Sequence, residues 1–177
     1  MNAAIDSYYS SHIALYPDFP EPGVLFRDIT PLLRDPRAFR EVLTYWMSIL
    51  PADVDLIVGT EARGFVFGAP LAFELGLGFV PVRKAGKLPG TPRSHSYSLE
   101  YGTATVEIAD GAIPAGSRVL VIDDLLATGG TARATVELVR AFGADVAGAS
   151  FLIELTGLGG REQLTDIPFT AVWSVPN

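Results

Sequence analysis

The sequence predicts an α/β fold, a mainly parallel sheet flanked by helices. Three observations carry it. Short apolar runs recur at Asp55–Thr60, Phe79–Arg83, Arg118–Ile122, Val146–Leu155 and Phe169–Val175, with the length and composition of buried strands. Segments of helical spacing lie between several of them, and strands alternating with helices favour a sheet built by parallel crossovers. The chain has 177 residues, which suits one domain.

Each element has a local reason. Asp35-Pro36 is an N-cap followed by proline at the first helical position. Phe39, Val42, Leu43, Trp46, Met47 and Leu50 then form one apolar stripe that Pro51 ends. After the strand ending at Thr60, a helix is expected over Phe65–Leu75, stopping near Gly76. Phe79–Arg83 reads as a strand that Pro81 weakens or places at an edge. Residues 84–96 read KAGKLPGTPRSHS, polar and basic with no period, which predicts a long mobile loop of the kind that serves as a lid. Tyr97–Tyr101 and Ala104–Ile108 alternate about Gly102-Thr103, as in a hairpin. A helix over Thr131–Phe142, capped by Gly143, follows the strongest strand. Trp46 and Trp173 read as core, and Arg161-Glu162 as a turn on the surface.

Composition excludes several classes. Apolar residues make up 49% and charged residues 19%, so the chain is not disordered. Thirteen basic against twenty acidic residues give a net charge of −7, the reverse of a nucleic-acid footprint. Cysteine is absent, which removes disulfides, thiolate nucleophiles and cysteine-ligated zinc. The two histidines, His12 and His95, are far apart and suggest no metal site. No apolar run approaches a membrane span, and the first residues lack the basic flank and apolar stretch of a secretion signal. The expectation is a cytoplasmic protein without nucleic-acid or membrane partners.

The most informative stretch is Val119-Leu-Val-Ile-Asp-Asp-Leu-Leu-Ala-Thr-Gly-Gly-Thr-Ala132. A buried strand delivers two adjacent carboxylates to its carboxyl end, where ligands bind in open α/β sheets, and the pair is expected past the strand, at the surface. The small and hydroxylated residues that follow can aim backbone amides at a phosphate from a helix start. Acidic groups for sugar hydroxyls beside a phosphate cradle suit a ribose 5-phosphate. A lone acidic pair would mark an ordinary acidic turn; the longer string argues for the ligand. It is neither a Walker loop, since no Lys-Ser/Thr follows the glycines, nor a GxGxxG turn.

This string resembles the signature of the type I phosphoribosyltransferases, which bind phosphoribosyl pyrophosphate. Four further stretches, Phe19–Pro31, Gly59–Phe65, Arg83–Pro89 and Ser98–Gly102, resemble the branch of that family acting on adenine, in the same order and at the same spacing. The likeness runs from Pro17 to Leu164 and departs mainly at Thr91–Ser96. It implies a type I phosphoribosyltransferase fold in a single domain over residues 1–177, with a small hood over 1–34 and a flexible lid over 84–96. It implies a magnesium-dependent homodimer that joins adenine to phosphoribosyl pyrophosphate, giving AMP and pyrophosphate. A non-catalytic sensor of phosphoribosyl pyrophosphate is the rival, disfavoured by the acidic chain and the short stretch before the first motif.

The same resemblance implies roles. Asp123 and Asp124 hold the ribose hydroxyls, directly or through magnesium-bound water. Ala127, Thr128, Gly129, Gly130 and Thr131 take the 5-phosphate. Arg63, Lys84 and Lys87 offset charge on pyrophosphate, and Arg63 is also catalytic. Leu25, Phe26 and Arg27 receive adenine, with Phe26 stacking and Leu125 closing the other face. Glu100 acts as acid or hydrogen-bond partner to the base, and Tyr101 packs over the closed site. A cis peptide is expected between Glu61 and Ala62.

Overall fold

A computed structural model of the chain describes residues 3–98 and 102–177. The chain divides into two compact units, one of residues 1–49 with residue 177 and one of residues 50–176. The first unit extends past the segment expected as a hood over 1–34. The reason is α3 (Pro36–Ser48), on which α1 (Ala3–His12) and α2 (Thr30–Arg34) both pack. Asp35 caps α3 by accepting from the amides of Arg37 and Ala38 at 2.9 and 3.1 Å. Ala38, Val42, Leu43 and Trp46 form its buried face. A short ribbon, β1 (Ala14–Tyr16) against β2 (Phe26–Asp28), completes the unit and pairs Leu15 with Arg27.

The second unit is built on a sheet that, among the described residues, has seven strands in the order β5-β6-β4-β3-β7-β8-β9. Five of them, β4 (Gly78–Lys84), β3 (Leu56–Thr60), β7 (Arg118–Leu126), β8 (Asp145–Leu155) and β9 (Phe169–Val175), run parallel. The hairpin of β5 (Arg93–Ser98) and β6 (Thr103–Ile108) adds antiparallel to β4. Both faces of the parallel part are covered, as such sheets require. Helix α4 (Arg63–Leu75) lies on the face of Ile57, whose methyl is 3.6 Å from where a Cβ on Gly68 would stand. Helix α5 (Gly130–Ala141) lies on the opposite face, where Val136 and Val139 join Val58, Val119 and Val121.

Three expectations change. The loop expected over residues 84–96 is shorter, because Arg93–Ser96 belong to β5 and pair with β6. Its polar side chains hide an edge strand held at its outer end by Arg93, which donates to Asp110 at 3.2 Å and to the Ala141 carbonyl at 2.6 Å. Thr103, expected in the turn, starts β6 opposite Ser98. Pro81 sits in an interior strand, but β6 pairs only with Arg83 and Lys84. At Pro81, then, β4 is bonded on the β3 side alone, and its missing N–H costs no ladder bond. Trp46 and Trp173 are buried, at 0% and 4% exposure.

The ring of Phe79 on β4 enters a notch between two glycines. A Cβ on Gly59 of β3 would stand 2.8 Å from its edge, and one on Gly68 of α4 would stand 2.7 Å from the same atom. The Gly68→Ala variant is therefore expected to lose roughly 1–3 kcal/mol in urea unfolding, the usual cost of overpacking. In a Phe79→Ala background the same change is expected to stabilise by about 1 kcal/mol, because alanine is the better helix former.

Candidate active site

Strands β3 and β7 are adjacent, yet the connection from β3 leads to β4 on one side while β7 leads to β8 on the other. That reversal creates a crevice at the carboxyl ends of the two strands. The chain leaves β3 through Thr60, Glu61, Ala62 and Arg63, with a cis peptide between Glu61 and Ala62, as expected. Gly64, in the first turn of α4, permits the approach: a Cβ there would meet the Thr60 hydroxyl at 2.8 Å, the Ile122 carbonyl at 2.9 Å and the Asp123 carboxylate at 3.0 Å. Arg63 at the start of α4 binds the Asp124 carboxylate through Nε at 2.9 Å. Glu61, named from the sequence for its peptide bond and not for its side chain, accepts from the Lys84 amide at 2.8 Å and from Arg83 Nε at 3.0 Å. These bonds pin the end of β4, and they hold the Glu61 carboxyl below its ordinary range, the Lys84 amide being the larger cause.

Asp123 and Asp124 lie inside β7, not beyond it, which corrects the expectation of a surface position. β8 is eleven residues long and keeps pairing with β7 as far as Leu126 opposite Glu154. Asp124 is only 5% exposed, and Asp123 Oδ1 accepts the Asp124 amide at 2.8 Å. Burial, reinforced by the neighbouring Asp124 charge, pushes the Asp123 carboxyl up to about 8. Asp124 is also pushed up by burial, with Arg63 pulling the other way.

A cavity of about 710 Å³ opens here, and Arg63, Lys84, Asp123, Asp124, Leu125 and Thr131 are among its lining residues. A smaller one of about 110 Å³ adjoins it, bounded by Ala127, Thr128, Gly129, Gly130 and Thr131. Gly129 has φ +85° and stands at the N-cap of α5, a left-handed position that glycine adopts freely. It turns the loop so that α5 begins at the small cavity, and amides at a helix start favour an anion. Tyr97 of β5 reaches the same place, its hydroxyl 2.8 Å from that of Thr131.

The crevice thus gathers Arg63, Lys84, the aspartates, Leu125 and the Ala127–Thr131 loop. Lys87, exposed beyond the end of β4, does not line it. Leu25, Phe26 and Arg27 belong to the first unit. There Arg27 is buried, with Nε donating to the Tyr9 hydroxyl at 3.3 Å and Nη1 to the Leu25 carbonyl at 3.1 Å. Phe26 meets Phe19 edge to face with centroids 5.2 Å apart. Glu100 and Tyr101 lie outside the described residues. Arg161 is no simple surface charge: it grips the buried Glu154. Among the described residues no group of three or more histidine, cysteine or acidic side chains could hold a metal.

The raised Asp123 carboxyl has a consequence for stability. Between its ordinary value of 3.8 and its folded value of about 8, the folded chain keeps a proton that the unfolded chain releases. Stability then falls as pH rises through that window and levels off above it. The free protein, in a chelator, is expected to melt at lower temperature at about pH 8 than at about pH 5. The Asp123→Asn variant should reduce that slope, Asp124 being raised by burial as well, and melt higher than wild type at the upper pH.

Known proteins share this arrangement. The family model for the phosphoribosyl transferase domain matches residues 37–166. The adenine phosphoribosyltransferase of Thermobifida fusca (strain YX) is 51% identical over 176 residues, covering 99% of this chain and 100% of that protein. The crystal structure of the adenine phosphoribosyltransferase from Thermoanaerobacter pseudethanolicus ATCC 33223 has a TM-score of 0.93 at 46% identity, covering 97% of this chain and 99% of that one. The Saccharomyces cerevisiae adenine phosphoribosyltransferase, complexed with adenine and D-2,5-dideoxy-2,5-imino-altritol 1,6-bisphosphate, has a TM-score of 0.89 at 42% identity, with coverage of 97% and 99%. A likeness that spans the whole chain and agrees in sequence and in fold leaves one assignment: the chain belongs to the phosphoribosyl transferase family and, within it, to the adenine phosphoribosyltransferases.

Proposed function

We propose that the crevice joins adenine to the ribose of phosphoribosyl pyrophosphate, releasing pyrophosphate and forming AMP, with magnesium accompanying the pyrophosphate. The observation that carries this reading is the meeting of Arg63 and Lys84, the half-buried Asp123 and buried Asp124, and a glycine loop bounding a small cavity where the chain reverses between β3 and β7. The adenine bound to the Saccharomyces cerevisiae relative supports the choice of base.

In this reading the bond from the anomeric carbon to the pyrophosphate oxygen breaks, and a bond to an imidazole nitrogen of adenine forms as that nitrogen gives up its proton. The Ala127–Thr131 loop holds the 5-phosphate with its amides and the Thr128 and Thr131 hydroxyls. Asp123 and Asp124 accept from the ribose hydroxyls and steady positive charge developing on the ring. Arg63 and Lys84 offset the charge growing on pyrophosphate. Leu25, Phe26 and Arg27 are the residues the family resemblance gives for adenine, with Leu125 and Tyr101, and Glu100 is its acid or hydrogen-bond partner to the base.

The donor set fits magnesium as an ion that travels with its ligand. Among the described residues three carboxylates line the crevice, and two are already engaged, Asp124 by Arg63 and Glu61 by Arg83 and the Lys84 amide. Magnesium commonly keeps several waters and takes one or two carboxylates with phosphate oxygens. Bound in that way it would neutralise the pyrophosphate oxygens. The homodimer belongs to the same reading, supported by Val66, Pro70 and Phe73, which follow one another along one face of α4 with Phe73 82% exposed.

Incubation with labelled phosphoribosyl pyrophosphate and a panel of adenine, hypoxanthine, guanine and orotate is expected to give AMP almost alone. A chelator should stop the reaction and added magnesium restore it. Comparable turnover of hypoxanthine would overturn the choice of base. The Asp124→Asn variant is expected to keep its fold by circular dichroism and to lose at least about tenfold in kcat/KM, roughly 1.4 kcal/mol of transition-state stabilisation.

A further inference from the structure

The sequence reading gave Arg161 no role, yet the structure ties it to the backbone of the phosphate loop. Glu154, on β8, is register partner to Leu126, the residue before that loop begins. It is 3% exposed. Its two oxygens accept from Arg161 Nε at 2.7 Å and Nη2 at 2.5 Å, and from Ser174 on β9 at 2.7 Å. This is a two-pronged guanidinium–carboxylate pair, the geometry that fixes orientation best. The Arg161 guanidinium also lies 4.5 Å from the centroid of the Phe169 ring. A residue 60% exposed at its side chain is thereby held at both its polar and its flat surfaces.

What Arg161 anchors is the 3-10 turn Gly160–Leu164, and the first residue of that turn touches the phosphate loop backbone to backbone. A Cβ on Gly160 would stand 2.3 Å from the Ala127 carbonyl and 2.8 Å from Leu126 Cγ. A Cβ on Gly129 would stand 2.7 Å from the Gly160 carbonyl and 3.0 Å from Gln163 Cγ. Each chain thus lacks a side chain where the other passes. The loop bounding the small cavity rests on the turn that Arg161 holds.

We infer that Glu154 and Arg161 are positioning residues for phosphate recognition: their pair clamps the Gly160–Leu164 turn to the end of β8, and the turn sets the curvature of Ala127–Gly130 around the 5-phosphate. The inference rests on the proposed reading of that loop. Neither side chain lines the two cavities of the crevice, so the pair acts through Gly160 and touches no substrate. Its effect should fall on the phosphate end of one substrate and spare the base.

The test uses full-length Arg161→Met, Arg161→Lys and Gly160→Ala, with KM for each substrate and kcat measured separately and Kd for ribose 5-phosphate measured by calorimetry. Arg161→Met is expected to raise KM for phosphoribosyl pyrophosphate and Kd for ribose 5-phosphate together, roughly three- to thirtyfold, as coupling through a positioning contact allows. KM for adenine and kcat should stay within about twofold. Arg161→Lys, which keeps the charge and loses the fork, should fall between. Gly160→Ala should give the same pattern, and Arg161→Met should add little on top of it, since both changes break one linkage. If Arg161→Met does not fold, Arg161→Lys decides by the same comparison. A lower melting temperature with unchanged ribose 5-phosphate affinity would overturn the inference, as would an equal rise in KM for adenine. A wild type that binds ribose 5-phosphate but forms no AMP would refute the proposed reaction, and calorimetry on the variants would still decide the clamp.

Discussion

The parallel pairing of β3 with β7 is the contact on which the second unit depends. Its register sets Leu56 opposite Val119 and Gly59 opposite Ile122, so both strands run to the same end of the sheet, where β7 continues past the end of β3 to Leu126. Because β3 turns toward β4 and β7 toward β8, the two exits diverge and leave room between them. The exit of β3 supplies Arg63 within three residues of the strand end, and the last part of β7 supplies Asp123 and Asp124. The 2.9 Å contact between Arg63 and Asp124 spans the gap. A slip of one residue in this pairing would turn every side chain of one strand to the other face. It would separate the cation from the carboxylate while leaving most of the sheet intact.

Around that pairing, absent side chains do as much as present ones. Gly64 lets the first turn of α4 sit against Asp123, Gly59 and Gly68 admit the edge of Phe79, and Gly129 and Gly160 let two backbones touch. Each brings a polar main-chain group or a ring edge closer than any Cβ would allow. Charged side chains then fix the pieces from outside: Glu61 ties β4 to the exit of β3, and Glu154 ties the last 3-10 turn to β8. The crevice owes its shape to close backbone contacts locked by a few ionic bonds, not to a lining of large residues.

The central parallel strands were legible in the sequence because burial on both faces leaves uninterrupted apolar runs, as at Val119–Ile122. Helix α3 was legible from Asp35-Pro36 and the spacing that follows. The start of the edge strand, Arg93–Ser96, was not, since these residues are polar and carry no alternation of hydrophobicity. The position of Asp123 within the strand was hidden for another reason: it is set by how far β8 runs, in the distant pattern of Asp145–Leu155, and not by the residues beside it. Arg63, Lys84, the aspartates and the glycine loop could be read because their residue types lie close to strand ends and their motifs resemble a known family. Arg161 could not, because one arginine in a short turn has no periodicity, and its partner reads as an isolated acid within an apolar strand. That α3 belongs with the first unit is a matter of tertiary packing and leaves no local trace.

The aspartate pair also bears on how such a chain can be improved. Two carboxylates side by side in a strand core are a poor solution for folding, and neutral or apolar residues of similar size would pack there with less strain on solvation. A search guided by thermal robustness alone would select against them early, and the variants it favoured would be the ones that lose the proposed hold on the ribose. Sequences optimised for persistence and sequences optimised for turnover therefore part company at Asp123 and Asp124, as at other sites where activity is kept at the expense of stability. Stabilising changes compatible with the chemistry are to be sought elsewhere, on the solvent side of α3 or along the outer edge of the sheet, where no carboxylate has to be kept dry.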